Sequence, residues 1–130
     1  MMKKPWTLAD GMNLLFKMRK ALKPVGVEVG LAGSVLFEGR STKDLDVLLF
    51  PTTMFPNVTA TTTLHPKKFS FESAMSDIEE ALESIGMVQV CDRHFVQEQW
   101  RKVGSFDTKW VEVWHTEDRQ RVDLFFLEGA

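Results

Sequence analysis

Two aspartates alternate with apolar residues at the start of a hydrophobic run that reads Asp44-Leu45-Asp46-Val47. Alternate side chains of a β-strand share one face, so both carboxylates project together, about 7 Å apart along the backbone. The leucine and the valine then point to the opposite face, which favours their burial against a core. Unpaired like charges repel, so this placement is costly unless a cation lies between the acids. The pattern therefore predicts a half-buried strand over residues 44–50 with a cation site on its polar face.

A glycine-serine pair, Gly33 and Ser34, precedes the first of these acids with nine residues between. Valines recur just before the pair, which predicts a strand over residues 25–32. Glycine tolerates positive φ and lets backbone N–H groups approach an anion, and a serine hydroxyl can donate beside them. Magnesium is usually held by one or two carboxylates together with substrate phosphates. The turn and the acids together indicate a magnesium-nucleotide site.

These residues resemble the signature of the nucleotidyltransferase fold, the superfamily that includes the DNA polymerase β palm. The signature is a small residue before Gly-Ser, a spacer, and then Asp-hydrophobic-Asp; the chain carries Ala32-Gly33-Ser34 followed by Asp44 and Asp46. The resemblance implies an α+β fold in which a mixed β-sheet of about four to five strands has helices packed on one face.

The resemblance also implies a third carboxylate on a later strand, between hydrophobic neighbours. Glu112 and Asp123 both qualify, in two predicted strands over residues 109–115 and 120–127 joined by a loop of residues 116–119. Symmetric closure of that loop would set Glu112 opposite Asp123 on one face, with the flanking apolar residues on the other. Asp123 is preferred because its strand is more strongly apolar. Glu112 is then an accessory ligand or a solvated residue.

The chemistry that the resemblance implies is transfer of a nucleoside monophosphate from a nucleoside triphosphate to a hydroxyl acceptor, with release of pyrophosphate. Asp44, Asp46 and Asp123 would be the catalytic residues and would bind Mg²⁺, as one or two ions. Asp123 would orient or deprotonate the acceptor. The nucleotide, ATP or another triphosphate, would be contacted by five residues ahead of the acids: Gly33, Ser34, Arg40, Ser41 and Lys43.

Length and charge limit the partners of such a chain. Its 130 residues suffice for one nucleotidyltransferase-like domain over residues 1–130 with a core of its own. A net charge of −2 offers no broad attraction for a polyanion, so a long nucleic acid is disfavoured. The resemblance to short members of the family implies a small molecule or a partner protein as the acceptor. One cysteine excludes an internal disulfide framework, and no stretch has the length of a membrane span. We expect a cytoplasmic setting. The resemblance implies that a homodimer or a second chain can complete the cleft.

Two amphipathic helices are also predicted. The first begins at a Thr7 capping box and ends before Pro24, and its methionines and Phe16 are assigned to the core. Its apolar stripe comprises Leu8, Met12, Leu15, Met18 and Leu22. The second helix has Ser70 as its N-cap and Gly86 as its stop. The apolar stripe of this helix comprises Phe71, Ala74, Met75, Ile78, Leu82 and Ile85. Residues 51–68 are predicted as a loop, residues 87–91 as a short strand, and residues 95–103 are left unassigned.

Two alternatives stay open from the sequence. The first is a non-catalytic nucleotide-binding or antitoxin-like module of the same fold. The second is an unrelated α+β interaction protein in which the acids are surface charge on solvated strands. Binding of magnesium and nucleotide separates the second alternative from the enzyme and from the first.

Overall fold

The computed structural model describes residues 5–33, 39–41, 44–52, 70–94, 102–103 and 106–129. The helices are α1 (Leu8–Leu22) and α2 (Phe71–Ser84). The strands are β1 (Trp6–Thr7), β2 (Val27–Ala32), β3 (Arg40–Ser41), β4 (Asp44–Pro51), β5 (Val88–His94), β6 (Lys102–Val103), β7 (Phe106–His115) and β8 (Arg121–Gly129). No helix among these residues has the length and hydropathy to cross a membrane.

The main sheet is mixed, and its topology decides which acids meet. The strand order is β2-β4-β8-β7-β5, with β6 pairing to β7, while β1 and β3 form a separate small pair. β4 and β8 run parallel, and the other neighbours in the main sheet run antiparallel. The parallel register sets Asp46 beside Asp123 and Asp44 beside Arg121. The predicted α+β class with a mixed sheet is confirmed.

One face of the sheet forms the core with both helices. The inward side chains of β4 and β8 are fully buried: Leu45, Val47, Leu49, Val122, Leu124 and Phe126. They share one cluster with buried residues of α1, such as Met18, and of α2, such as Phe71. Phe71 meets Phe126 edge-on, with ring centroids 5.2 Å apart. Because side chains alternate along a strand, the aspartates of β4 and β8 must point to the opposite face.

Helix α1 begins and ends where the sequence predicts, and its predicted stripe is buried in part, at Met18 and Leu22. The Thr7 hydroxyl caps the helix by accepting a hydrogen bond of 3.1 Å from the backbone N–H of Asp10. The buried positions are Gly11, Leu14, Met18 and Leu22. Leu8 is 42% exposed and Phe16 is 60% exposed, so the assignment of Phe16 to the core is wrong. Apolar residues occur on two adjacent stripes of this helix, and periodicity alone does not decide which one packs.

Helix α2 buries the predicted face. Phe71, Met75, Ile78 and Leu82 are its buried residues, and the chain leaves the helix through Gly86 at φ 84°. Ser70 occupies the N-cap position, but its side chain makes no capping hydrogen bond. The predicted loop of residues 51–68 lies outside the described residues beyond position 52, as does most of the unassigned segment 95–103.

The β7–β8 hairpin closes one residue later than predicted. His115 pairs with Arg121, so the loop comprises residues 116–120 and includes Gln120. The Gln120 carbonyl accepts a 3.0 Å hydrogen bond from the N–H of Thr116. Arg119 takes φ 61°, the left-handed conformation that a tight loop of this length uses. A shift of one residue moves a side chain to the other face of the sheet.

Glu112 consequently lies in the core, away from Asp123. It pairs with Leu124, whereas Val113 pairs with Asp123. Its carboxylate is fully buried and accepts hydrogen bonds from the indole N–H groups of Trp110 and Trp114, both at 3.0 Å. Buried charge is tolerated when donors of this kind satisfy it. The predicted role of Glu112, as an accessory ligand or a solvated residue, is wrong.

Candidate active site

Three carboxylates meet on the face of the sheet that points away from the helices. Asp44 and Asp46 alternate along β4, and Asp123 lies beside Asp46 on β8. One oxygen from each carboxylate lies within 4.8 Å of the others. Asp123 is 8% exposed, and the two acids of β4 are half-buried. The structure thus brings together the three acids that the sequence analysis singled out.

The cluster is electrostatically unfavourable in its fully charged form. Burial raises the pKa of Asp46 to about 7, and the neighbouring charges of Asp44 and Asp123 add to that rise. The positive charge of Arg121 lowers the same pKa and offsets part of the effect. Near neutral pH, Asp46 therefore holds a proton in a large fraction of molecules. A bound cation could take the place of that proton.

Arg121 supplies positive charge directly to the cluster. Its Nε donates to Oδ1 of Asp123 at 2.8 Å, and its Nη2 lies 3.4 Å from Oδ2 of the same carboxylate. This hydrogen bond and the charges of the three acids raise the pKa of Arg121, against the opposing effect of burial. The sequence analysis missed this residue. The signal for it was its position two residues before Asp123 on the same strand, because such side chains share a face.

Gly33 lies against the carboxylate of Asp46. Its φ is 70°, in the left-handed region that favours glycine. A Cβ at this position would collide with the Asp46 carboxylate and would lie 3.0 Å from its Cγ. A glycine at the end of β2 therefore leaves room for Asp46 within the cluster.

Solved structures share this architecture. The Cid1 RNA terminal uridylyl transferase superimposes with a TM-score of 0.53 at 14% identity, over 92% of this chain and 31% of its own. The Cid1 poly(U) polymerase with magnesium and 3'-dATP bound gives a TM-score of 0.54 at 13% identity, over 92% and 30%. The chain has the nucleotidyltransferase fold. A cytoplasmic RNA terminal U-transferase, at 0.51 and 13% identity, matches over 92% of this chain and 28% of its own.

This instance of the nucleotidyltransferase fold spans about three tenths of the length of those neighbours. No family model matches the sequence, and no curated protein matches it. At identities of 13–14% the likeness establishes the fold. The chemistry of the site must therefore be argued from this chain's own residues.

The acids of this nucleotidyltransferase fold fit a hard divalent cation. All three offer carboxylate oxygens, which suit magnesium better than a soft metal. Burial, and then the charges of Asp44 and Asp123, raise the pKa of Asp46, and the opposing effect of Arg121 offsets only part of that rise. An incoming divalent cation would relieve the remaining repulsion.

The structure describes some of the other residues predicted to contact the nucleotide and leaves others outside the described ranges. Arg40 and Ser41 form β3, whose backbone pairs with Thr7 and Trp6 shortly before Asp44. Ser34 and Lys43 lie outside the described residues. Of the predicted set, Gly33 is the residue that the structure places directly beside the acids.

Proposed function

We propose that this chain is a magnesium-dependent enzyme that transfers a nucleoside monophosphate from a nucleoside triphosphate to a hydroxyl acceptor and releases pyrophosphate. The observation that carries the proposal is the convergence of Asp44, Asp46 and Asp123 on one face of a nucleotidyltransferase fold. The named neighbours support a nucleotide as donor, since they are uridylyl transferases and one holds magnesium and 3'-dATP.

The three acids would hold Mg²⁺, as one or two ions. When bound, magnesium neutralises phosphate charge and lowers the pKa of an attacking hydroxyl. Asp46 must lose its proton before its carboxylate can act as a ligand, so binding would release a proton near neutral pH. Asp123 is the group proposed to orient the acceptor hydroxyl or accept its proton. The two contacts from Arg121 hold the Asp123 carboxylate in one orientation while it does so.

The triphosphate is proposed to lie over the segment between β2 and β4. Gly33, adjacent to Asp46, would bring backbone N–H groups close to phosphate. Cationic and hydroxyl side chains of the same segment would complete the contacts: Ser34, Arg40, Ser41 and Lys43. The proposed acceptor is a small molecule or a partner protein in the cytoplasm, because the net charge of −2 does not attract a long polyanion.

A transfer assay tests the proposal. The protein is incubated with Mg²⁺ and each of the four α-labelled nucleoside triphosphates, together with hydroxylated small molecules, candidate proteins or a short RNA. Magnesium-dependent pyrophosphate release and a labelled acceptor are expected with the wild-type chain. Asp44→Asn and Asp46→Asn should each abolish both signals, while Asp77→Asn, on the exposed side of α2, should leave them unchanged.

Circular dichroism checks that the variants remain folded. Undiminished pyrophosphate release from both cluster variants would refute the catalytic assignment. Magnesium-dependent nucleotide binding without transfer to any acceptor would instead indicate the non-catalytic module.

A further inference from the structure

Trp6 lies outside the acid cluster but contacts the strand that carries Asp123. Its side chain is almost completely buried, at 3% exposure. Its indole N–H donates to the backbone carbonyl of Arg121 at 2.8 Å. Arg121 is also the residue whose guanidinium contacts the Asp123 carboxylate. Arg121 thus accepts a hydrogen bond from Trp6 at its backbone carbonyl, while its side chain donates to Asp123.

Strand β1 also holds the segment that leads into Asp44. Trp6 pairs with Ser41 in the β1–β3 ladder. The backbone N–H of Leu8 donates to the carbonyl of Gly39 at 2.8 Å. The two chain segments that enter the acid cluster, one before β4 and one at the start of β8, are therefore both attached to the residues that begin α1.

The hydrogen bond from Trp6 lies at the end of the β4–β8 ladder, next to the acid cluster. The parallel register of β4 and β8 begins with the pair Asp44 and Arg121. The end pairs of a β-ladder open most readily, because each has a neighbouring pair on one side only. The indole hydrogen bond secures this end, where displacement of β8 would separate Asp123 from the acids of β4.

We infer that Trp6 is a positioning residue of the acid cluster, acting through the carbonyl of Arg121. The inference rests on the proposed function, because it assigns Trp6 to the assembly of that metal-nucleotide site. A group that hydrogen-bonds a metal ligand directly, as Arg121 bonds Asp123, typically changes metal affinity by about 10- to 100-fold when it is removed. Trp6 acts one contact further from the ligand, so loss of its indole donor should weaken magnesium-nucleotide binding toward the lower end of that range, by about tenfold.

Trp114 provides a matched control. It is fully buried, and its indole N–H donates at 3.0 Å to Glu112 on the core face of the sheet. Trp6→Phe and Trp114→Phe each keep a buried aromatic ring and remove one indole hydrogen bond. Both should lower the melting temperature. Calorimetric titration with Mg²⁺ and a non-hydrolysable ATP analogue should show about tenfold weaker binding for Trp6→Phe and less than about twofold for Trp114→Phe. Equal losses in the two variants would overturn the inference.

A second readout needs neither metal nor nucleotide. The Nε–H resonance of Arg121, assigned through Arg121→Lys, reports on the ion pair with Asp123 in the free protein. Its exchange with solvent should accelerate at least about threefold in Trp6→Phe and stay at the wild-type rate in Trp114→Phe. An unchanged rate in Trp6→Phe would overturn the positioning role. If the wild-type chain binds no magnesium-nucleotide, the proposed function fails, and this resonance still decides whether Trp6 positions Arg121.

A milder variant covers the case in which Trp6→Phe does not fold. Gln120→Ala removes the 3.5 Å contact from Gln120 Nε2 to the carbonyl of Pro5, the residue before Trp6. It should accelerate Arg121 Nε–H exchange in the same direction and by a smaller factor. A wild-type exchange rate in Gln120→Ala, with Trp6→Phe unfolded, would count against the inference.

Discussion

The raised pKa of Asp46 should make the free energy of unfolding fall as pH rises. The carboxyl titrates near 3.8 when unperturbed and at about 7 in the folded chain. Between these values the folded state keeps a proton that the unfolded state has lost, so raising the pH favours unfolding. The contribution is lost progressively from about pH 4 to about pH 7 and stays lost above that range.

The magnitude follows from the size of the shift. At about 1.4 kcal/mol for each tenfold change in the ionisation constant, a rise from 3.8 to about 7 corresponds to a ceiling of about 4 kcal/mol. Asp46 is partly open to solvent, and screening reduces that figure to about 2 kcal/mol. For a domain of this length, about 2 kcal/mol corresponds to roughly 8 °C in melting temperature.

Asp46→Asn isolates this contribution from the other titrating groups. Urea unfolding with a chelator present should give similar stabilities for the variant and the wild type at about pH 3.5, below the ordinary pKa of the carboxyl, where Asp46 is largely protonated in both the folded and the unfolded state. At pH 8 the variant should be more stable by about 2 kcal/mol, because an amide carries no charge to repel Asp44 and Asp123. Asp77→Asn, on an exposed surface of α2, serves as the control and should not change the pH dependence. A difference in stability between wild type and Asp46→Asn that is the same at about pH 3.5 and at pH 8 would refute the reasoning.

Four further substitutions give distinct outcomes. Glu112→Gln should lower the free energy of unfolding by about 2 kcal/mol in urea titrations, because one indole N–H loses its acceptor, and should leave magnesium affinity unchanged. Gly33→Ala and Gly39→Ala should each cost about 1 kcal/mol, because an alanine there must adopt a left-handed conformation. Calorimetry should nevertheless show impaired magnesium-nucleotide binding in Gly33→Ala alone, since a Cβ at position 33 meets Asp46 whereas a Cβ at position 39 meets none of the described residues. Thr7→Ala should lower stability by about 1 kcal/mol through loss of the helix cap, and unchanged thermal melting would contradict that.

Much of the fold could be predicted because local patterns and global packing agree. The alternation of Asp44 and Asp46 with apolar residues gives both the strand and the orientation of its acids. Thr7 caps the start of α1 by accepting a hydrogen bond from the N–H of Asp10, three residues later, and this short spacing can be recognised in the sequence. The meeting of Asp123 with Asp46 follows from the parallel pairing of β4 and β8. The family resemblance implied a third acid on a later strand, and the structure supplies the pairing.

The wrong predictions concern side chains whose face depends on the length of a loop, to within one residue, or on the rotation of a helix about its axis. Glu112 and Asp123 have similar apolar neighbours, and the extra loop residue Gln120 sends them to opposite faces. Phe16 lies on an exposed side of α1, and the sequence pattern alone does not determine which side of the helix packs against the sheet. The hydrogen bond between Trp6 and Arg121 joins residues that are 115 positions apart, so no local sequence pattern could predict it.

The central claim, that the three acids form a cation and nucleotide site, is tested most directly by thermal unfolding of the wild type and of Asp123→Asn. Each is melted with Mg²⁺ and each of the four nucleoside triphosphates in turn. At a hundred times its dissociation constant, a bound nucleotide should stabilise the wild type by about 2.7 kcal/mol, and this stabilisation should disappear in Asp123→Asn. No stabilisation by any of the four, or equal stabilisation of the variant, would contradict the claim.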